Sequence, residues 1–513
     1  MNVKSKIPKN VKLKTYLVTI LLVSVIFIGA LSYTIGQPYI GDVSEVWVQP
    51  PFSEASYVVG EYNSTHYYAR NSSTGEYEWL STNASSVINN ALGGLTSGRT
   101  WKEKVVLKGN FELSNPILIP SYSQLIIQGR VYAQDNYPNY QPLVRNVNFT
   151  DGNEQIEIRD GEIDGRNASQ GSNGHFGIRL ARVEDFVIDN VYVHHIRKST
   201  NAYGYGMRII GCVNGIVKNC RVEFCPHIGI SVGEVTDAAS KNIIITNNRL
   251  YHIRKEGDVF GSAAPITVGG SPEYMCERIM VIGNQIYDSD KGIQFYGDVI
   301  DSSISNNILG GIWTQAIIAG KSDTSGEYPV QNCIVSDNII KATANTEYYA
   351  IYVAGDYNVV TGNKIDFSAA PNDEIYERGI QCTGVNYGLI ANNHIYFARG
   401  IGIRLSGYGT GASQYSRHTL VIGNLIYGRG SSNCSDGIVL TEDADNNTIK
   451  DNIFRNILQS GKYCILLETG ANYNFIDGND MNGNNNDVSN NGTGTIWGDN
   501  LDKDGNFDEG VEP

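Results

Sequence analysis

The tetrapeptide His-Ile-Arg-Lys is written twice in this chain, at 195–198 within VYVHHIRKST and at 252–255 within RLYHIRKEGD. Each copy supplies an imidazole, a guanidinium group and an amine, a set suited to proton transfer beside an anionic ligand. Elimination next to a carboxylate needs a cation to neutralise that carboxylate and a base to take the acidified C–H proton. Arg197, Arg254 or a calcium ion fits the first role, and Lys198, Lys255, His195 or His227 fits the second. Hydrolysis of a glycosidic bond instead needs two carboxyl groups, about 5–5.5 Å or 6.5–9.5 Å apart. Glu223, Glu256, Asp258, Asp288 and Asp290 are the nearby sources of such a pair. Lys198, His227, Lys255 and Glu256 are therefore the candidate catalytic residues, and His195, Arg197, His252, Arg254 and Tyr205 the candidate substrate-binding residues. The structural alternative is that these polar groups simply cover turns.

Residues so far apart act together only if the fold repeats. From about 105 to 480 one pattern recurs: short apolar alternation, a small or polar residue, Asn, then apolar alternation again. The asparagines are Asn190, Asn219, Asn248, Asn284, Asn307, Asn338, Asn363, Asn393, Asn424, Asn452 and Asn479. A second run falls between them, as in FGIRL (176–180), IGISV (228–232), RGIQC (378–382) and IGIRL (401–405). Runs this short, alternating with period two, are strands. The repeat length varies from 23 to 36 residues, which disfavours a propeller or a leucine-rich repeat. It suits a parallel β-helix, whose coils share a core and differ in their loops. The asparagines would then stack as a hydrogen-bonded ladder at one turn. Aligned on that ladder, the two tetrapeptides lie at one phase, two coils or roughly 10 Å apart. His227 falls on the coil between them. Tyr192, Tyr203, Tyr205 and Tyr251 are close enough in sequence to stack on sugar faces.

These repeats resemble the right-handed parallel β-helix repeat family, the pectate-lyase-like superfamily, over about 105–484. The resemblance implies a single-stranded right-handed parallel β-helix, all-β, and a carbohydrate partner. Polygalacturonase-like members carry Asn-Thr-Asp, Asp-Asp and Gly-His-Gly motifs that this chain lacks; Gly174-His175-Phe176 is its nearest approach. Where uronan epimerases have Asp-Pro-His, this chain has Cys225-Pro226-His227. The family's mechanism therefore does not transfer residue by residue. Residues 37–104 read as a capping module of Tyr-rich hairpin strands and a short helix, with Ser85 or Ser86 near its N-cap.

The remaining features bound the setting. The formal net charge is −14 with 18% charged residues, which disfavours nucleic acid as partner. Five lysines at 4–14 precede an apolar stretch, Thr15 to Leu31. Residues 1–36 thus read as a signal peptide or an N-terminal membrane anchor, and the rest as exported. Asn-X-Ser/Thr sequons at Asn63, Asn71, Asn83, Asn148, Asn167, Asn433, Asn446 and Asn491 fit export. The eight cysteines include no CxxC pair and read as buried thiols. Residues 485–513 read as a polar acidic tail, in which Asp502, Asp504, Asn506 and Asp508 have calcium-loop spacing without the closing Glu. Two functions follow. One is an exported protein that binds and cleaves a polysaccharide, elimination ahead of hydrolysis. The other is a non-catalytic surface protein that binds glycans or builds an envelope layer.

Overall fold

The computed structural model describes residues 55–509 apart from 200–203, 255–262, 321–329, 343–348, 368–377, 399, 408–414 and 429–435. The N-terminal segment expected to direct export, together with Tyr203, Lys255, Glu256, Asp258, Asn433 and Cys434, lies outside these described residues. The chain is a right-handed parallel β-helix with three faces. Each coil contributes one strand to each face, as in Val183–Asp189, Tyr192–His194 and Tyr205–Ile210. The third face is a continuous sheet of fourteen strands. Alternation sends Ile188, Val217 and Ile245 inward on the first face, and Val193, Val222 and Leu250 on the second. Met207, Ile230 and Ile266 do so on the third. All are fully buried, so identical phases stack into apolar columns. Volume is traded between coils: a Cβ on Gly215 would lie 1.9 Å from the Phe186 ring.

The turn between the first and second faces carries the amide ladder. Asn248, Asn284, Asn307, Asn338, Asn363, Asn393, Asn424, Asn452, Asn479 and Asn500 are joined by nine successive Nδ2–H to Oδ1 bonds. At Asn338 the amide donates to Asn363 Oδ1 at 2.9 Å and to the Ile304 carbonyl at 2.9 Å, while the backbone N–H reaches Asn363 Oδ1 at 3.1 Å. Two of the asparagines expected in the ladder are one residue out of register. Asn190 and Asn219 occupy the preceding left-handed position (φ 57° and 56°) and are exposed. Val191 and Cys220 take the inner place, and the Cys220 N–H donates to Asn248 Oδ1. The two outer asparagines bond instead to Asp160 and Asp189. Apolar alternation alone does not separate these neighbouring turn positions, because Asn suits both.

The ends differ from the sequence reading in two places. In the capping module, strands Tyr57–Glu61, Tyr67–Asn71 and Tyr77–Ser81 lead into the helix Ala84–Gly93. Its N-cap is Asn83, whose side chain accepts from the Ser86 N–H. Ser85 is buried and instead donates to the Asn115 carbonyl. At the other end the solenoid continues past 484: Val488–Asn490 and Ile496–Trp497 pair with the coil before them, and Asn500 completes the ladder. Six cysteines, Cys212, Cys220, Cys225, Cys276, Cys333 and Cys382, are buried free thiols, and Cys464 is buried as well. Burial pushes the Cys212, Cys220, Cys276, Cys333 and Cys382 thiols up to about 12. No helix among the described residues is long and apolar enough to cross a membrane.

Two outcomes follow. Asn338→Ala strands buried backbone groups on both sides and should cost about 2–4 kcal/mol, read as a lower denaturation midpoint. Asn190→Gly, at an exposed left-handed position that glycine fits, should cost under about 1 kcal/mol. Equal effects would contradict the register. In a thiol-labelling experiment on the folded chain, the six free thiols should react only on unfolding; rapid labelling of several would contradict their burial.

Candidate functional site

The second face places the chemistry. Its strands Glu162–Asp164, Tyr192–His194, Arg221–Glu223 and Arg249–Tyr251 pair in parallel and in register. Outward positions therefore line up across coils: Glu162, Tyr192, Arg221 and Arg249 in one row, and Asp164, His194, Glu223 and Tyr251 in the next. The last three strands enter a turn through a left-handed residue, His195, Phe224 and His252, with φ of 50°, 50° and 58°, and Asp288 holds the same place on the next coil at 50°. The two His-Ile-Arg-Lys copies thus do share a phase two coils apart. The ring between them belongs to Phe224. It lies 4.8 Å from His195 at 11° and 5.1 Å from His252 at 51°. Tyr192 stacks on His194 at 4.2 Å, which extends the array sideways.

Hydrogen bonding fixes the imidazoles. Glu162 Oε1 can only accept, so His194 Nε2 carries the proton at 3.0 Å. Burial lowers the His194 pKa, which keeps the ring neutral and leaves Nδ1 as an acceptor. His195 Nδ1 lies 2.5 Å from it and must then be the donor. His195 is held in the tautomer whose Nε2 lone pair is free to act as a base. Carboxylates stand on the rungs either side of His194. Asp164 accepts from Arg130 Nη2 and, at 2.7 Å, from the Arg166 N–H. Glu223 accepts from Arg221 and, at 3.0 Å, from the Tyr192 hydroxyl. Asp164, His194 and His195 also present one ligand atom each within 4.8 Å of one another. That set is able to hold a divalent metal, once His195 Nδ1 gives up its proton.

The other candidates scatter around this core. Arg254 pairs with Asp288 and lies 4.6 Å over Trp313, and His252 Nδ1 contacts Asp288 at 2.7 Å. Asp288 therefore occupies the cationic end that the tetrapeptide was expected to offer a ligand. Arg197 lies beside the buried His175 and contributes to holding it neutral. Lys198 follows in the same turn, half-buried and without an ion pair to a described residue. Tyr205 is buried against Phe176, ring to ring at 5.6 Å, and His227 meets its edge at 5.5 Å. This pair opens the third face rather than joining the second-face row. Asp502, Asp504 and Asn506 sit in a hairpin loop between Asp499–Leu501 and Phe507–Glu509. Asp502 Oδ1 there accepts from the Asp504 and Asn506 N–H groups, and the Asp508 side chain lies outside the described residues. Glu162, Asp164 and Phe224 were missed from the sequence. Glu162 and Asp164 sit on a coil that lacks the turn Asn, and Phe224 carries no ionisable group to mark it.

No family model matches the chain, and no curated protein matches it significantly. Solved structures do resemble it. The N-terminal fragment of bacteriophage phi29 gene product 12 is 15% identical, with a TM-score of 0.55 over 84% of this chain and 71% of that one. The tailspike protein of E. coli bacteriophage HK620, in complex with a pentasaccharide, is 12% identical, with a TM-score of 0.53 over 81% and 76%. The A-module of the Azotobacter vinelandii mannuronan C-5 epimerase AlgE4 is 14% identical, with a TM-score of 0.49 over 73% and 92%. At these identities the likeness is one of fold.

His175 gives the site a pH signature. It is fully buried, and a Cβ on Gly165 would lie 2.4 Å from its Nε2, so only glycine leaves room for the ring. Burial pushes its pKa down to about 4 from 6.5, with Arg197 adding to the shift against Asp164. The unfolded chain therefore takes the proton first. Stability should fall as pH drops from about 6.5 towards about 4, by roughly 3 kcal/mol, and level off below. His175→Gln should flatten that slope in a pH series of unfolding curves; an unchanged slope would contradict it.

Proposed function

We propose that the chain is an exported polysaccharide-binding protein that cleaves an acidic glycan by elimination at its second face. The observation that carries this reading is the Glu162–His194–His195 chain of hydrogen bonds, which leaves His195 Nε2 as an available base beside a stack of rings. His195 takes the C5 proton next to the sugar carboxylate, which Lys198 and Arg197 in the same turn neutralise; the electron pair forms the C4–C5 double bond as the C4–O glycosidic bond breaks, and the departing oxygen takes a proton from solvent. His195, Phe224 and His252 give the sugar chain a surface to lie along. Support for a glycan partner comes from the HK620 tailspike of like fold, solved with a pentasaccharide. Elimination is preferred to hydrolysis because Asp164 and Glu223 are already occupied as acceptors of hydrogen bonds from arginine and tyrosine. Hydrolysis would need one of them as a proton donor.

A panel of acidic and neutral polysaccharides, read by ultraviolet absorbance of unsaturated uronates and by reducing ends, tests this. An acidic glycan should give both signals. His195→Gln should lower the elimination rate by about 10²–10⁴-fold with binding kept, and Phe224→Ala should weaken binding. Reducing ends without unsaturation would replace elimination with hydrolysis. Binding with neither signal would favour the non-catalytic glycan-binding reading.

A further inference from the structure

The outer surface of the third face carries a second concentration of charge. Arg145, Arg179 and Arg208 stand in register on three successive rungs, about 4.8 Å apart. None of them makes a side-chain hydrogen bond or ion pair with another described residue. The Nε atoms of Arg145 and Arg179 are covered and unbonded. Many other arginines are paired with carboxylates, as at Arg130, Arg166, Arg182, Arg254 and Arg455. In a chain of net charge −14, three adjacent unneutralised guanidinium groups are not a by-product of composition.

Aromatic rings hold these arginines in place. Arg145 lies 4.6 Å over Phe149, Arg179 lies 5.0 Å over Phe149 and 5.5 Å over Phe176, and Arg208 lies 5.1 Å over Tyr205. Phe176 and Tyr205 stack at 5.6 Å and 12°, with Tyr140 against the Phe176 edge. Cation–π contact offsets part of the repulsion between like charges but does not neutralise them. Burial and the neighbouring arginines lower the Arg179 pKa, as expected where the counter-charge is external. The same row continues with Ser231, Thr267 and Gln294, which extend it with uncharged hydrogen-bonding groups.

We propose that Arg145, Arg179 and Arg208 form a binding strip for an acidic polysaccharide on the third face, separate from the second-face site. The forked guanidinium group matches carboxylate or sulfate oxygens two at a time. A spacing of about 4.8 Å per rung over three rungs suits anionic groups repeated along a chain. The flanking rings suit sugar more than a bare anion. The strip holds a glycan whether or not the second face cleaves it, so it stands independently of elimination.

The full chain should be titrated with dextran sulfate, polygalacturonate oligomers, neutral dextran and single-stranded DNA at several salt concentrations. The acidic glycans should bind in a salt-sensitive manner, and neutral dextran should bind at least about tenfold more weakly. Arg208→Gln and Arg145→Gln should each weaken acidic-glycan binding about tenfold or more and reduce its salt dependence. Arg208→Lys, which keeps both charge and fold, should fall between. His195→Gln should lower cleavage about 10²–10⁴-fold and leave this binding intact, which separates a failure of the strip from a failure of the second-face site. Unchanged affinity in the Arg145→Gln/Arg208→Gln double variant would overturn the strip. So would equal affinity for neutral dextran, or tighter binding of DNA.

Discussion

The buried amide ladder from Asn248 to Asn500 is the constraint on which the rest of the protein depends. A turn that leaves the first face must carry a left-handed residue and then bury the next side chain. Asparagine at that buried place satisfies its own amide, the backbone N–H of the preceding coil and a carbonyl of that coil together. Because each link bonds to the coil after it, the ladder sets spacing and phase for every strand that follows. Phase matters most in a sheet, since a slip of one residue would turn every outward side chain inward. The second-face rows of the site precede the ladder and keep the same phase through their parallel pairing, which runs on into its first coil.

The site lies where the ladder stops. In the coils of Tyr192–His194 and Arg221–Glu223 the buried turn positions are Val191 and Cys220, and polarity has moved outward. Asp160, Asn190 and Asn219 then form an outer series, while Glu162, Asp164, His194 and Glu223 bond to one another's neighbours on the adjoining row. The arginine strip begins on the Tyr192–His194 coil, with Arg208, and continues on the two coils before it, with Arg179 and Arg145. The coils before Asn248, which lack amide stacking, thus carry both the histidine–carboxylate rows and the arginine strip. That division matches the physics of solenoids, in which each repeat answers mainly to its nearest neighbours.

Much of this was legible in the chain. Strand alternation and recurrent Asn pointed to the β-helix, the order of the coils and the shared phase of His195 and His252. The rest depended on distinctions that the residue types do not carry. Asn serves both the left-handed turn position and the buried one after it, so Asn190 and Asn219 displaced the alignment by one residue. That slip shifts these two coils by one residue against the Asn248 coil, so that His252 falls opposite His194 and Glu223; Phe224 escaped because it carries no ionisable group, and Asp164 because its coil lacks the Asn. Asn83 was passed over as the helix cap because a serine is equally competent there. The polar segment after 484 read as a tail because its last coils have few apolar residues, yet Asn500 still closes the ladder. Arg145, Arg179 and Arg208 escaped notice because single arginines in separate strands show no motif until the third face is assembled.

The most direct measurement is an experimental structure of the chain with an acidic oligosaccharide bound. The sugar chain should run along the helix axis across the second face, over His195 and Phe224, with His195 Nε2 facing a sugar C–H beside a carboxylate. An oligosaccharide seated elsewhere, with His195 Nε2 bonded into the protein, would contradict the assignment of the second face as the reacting surface.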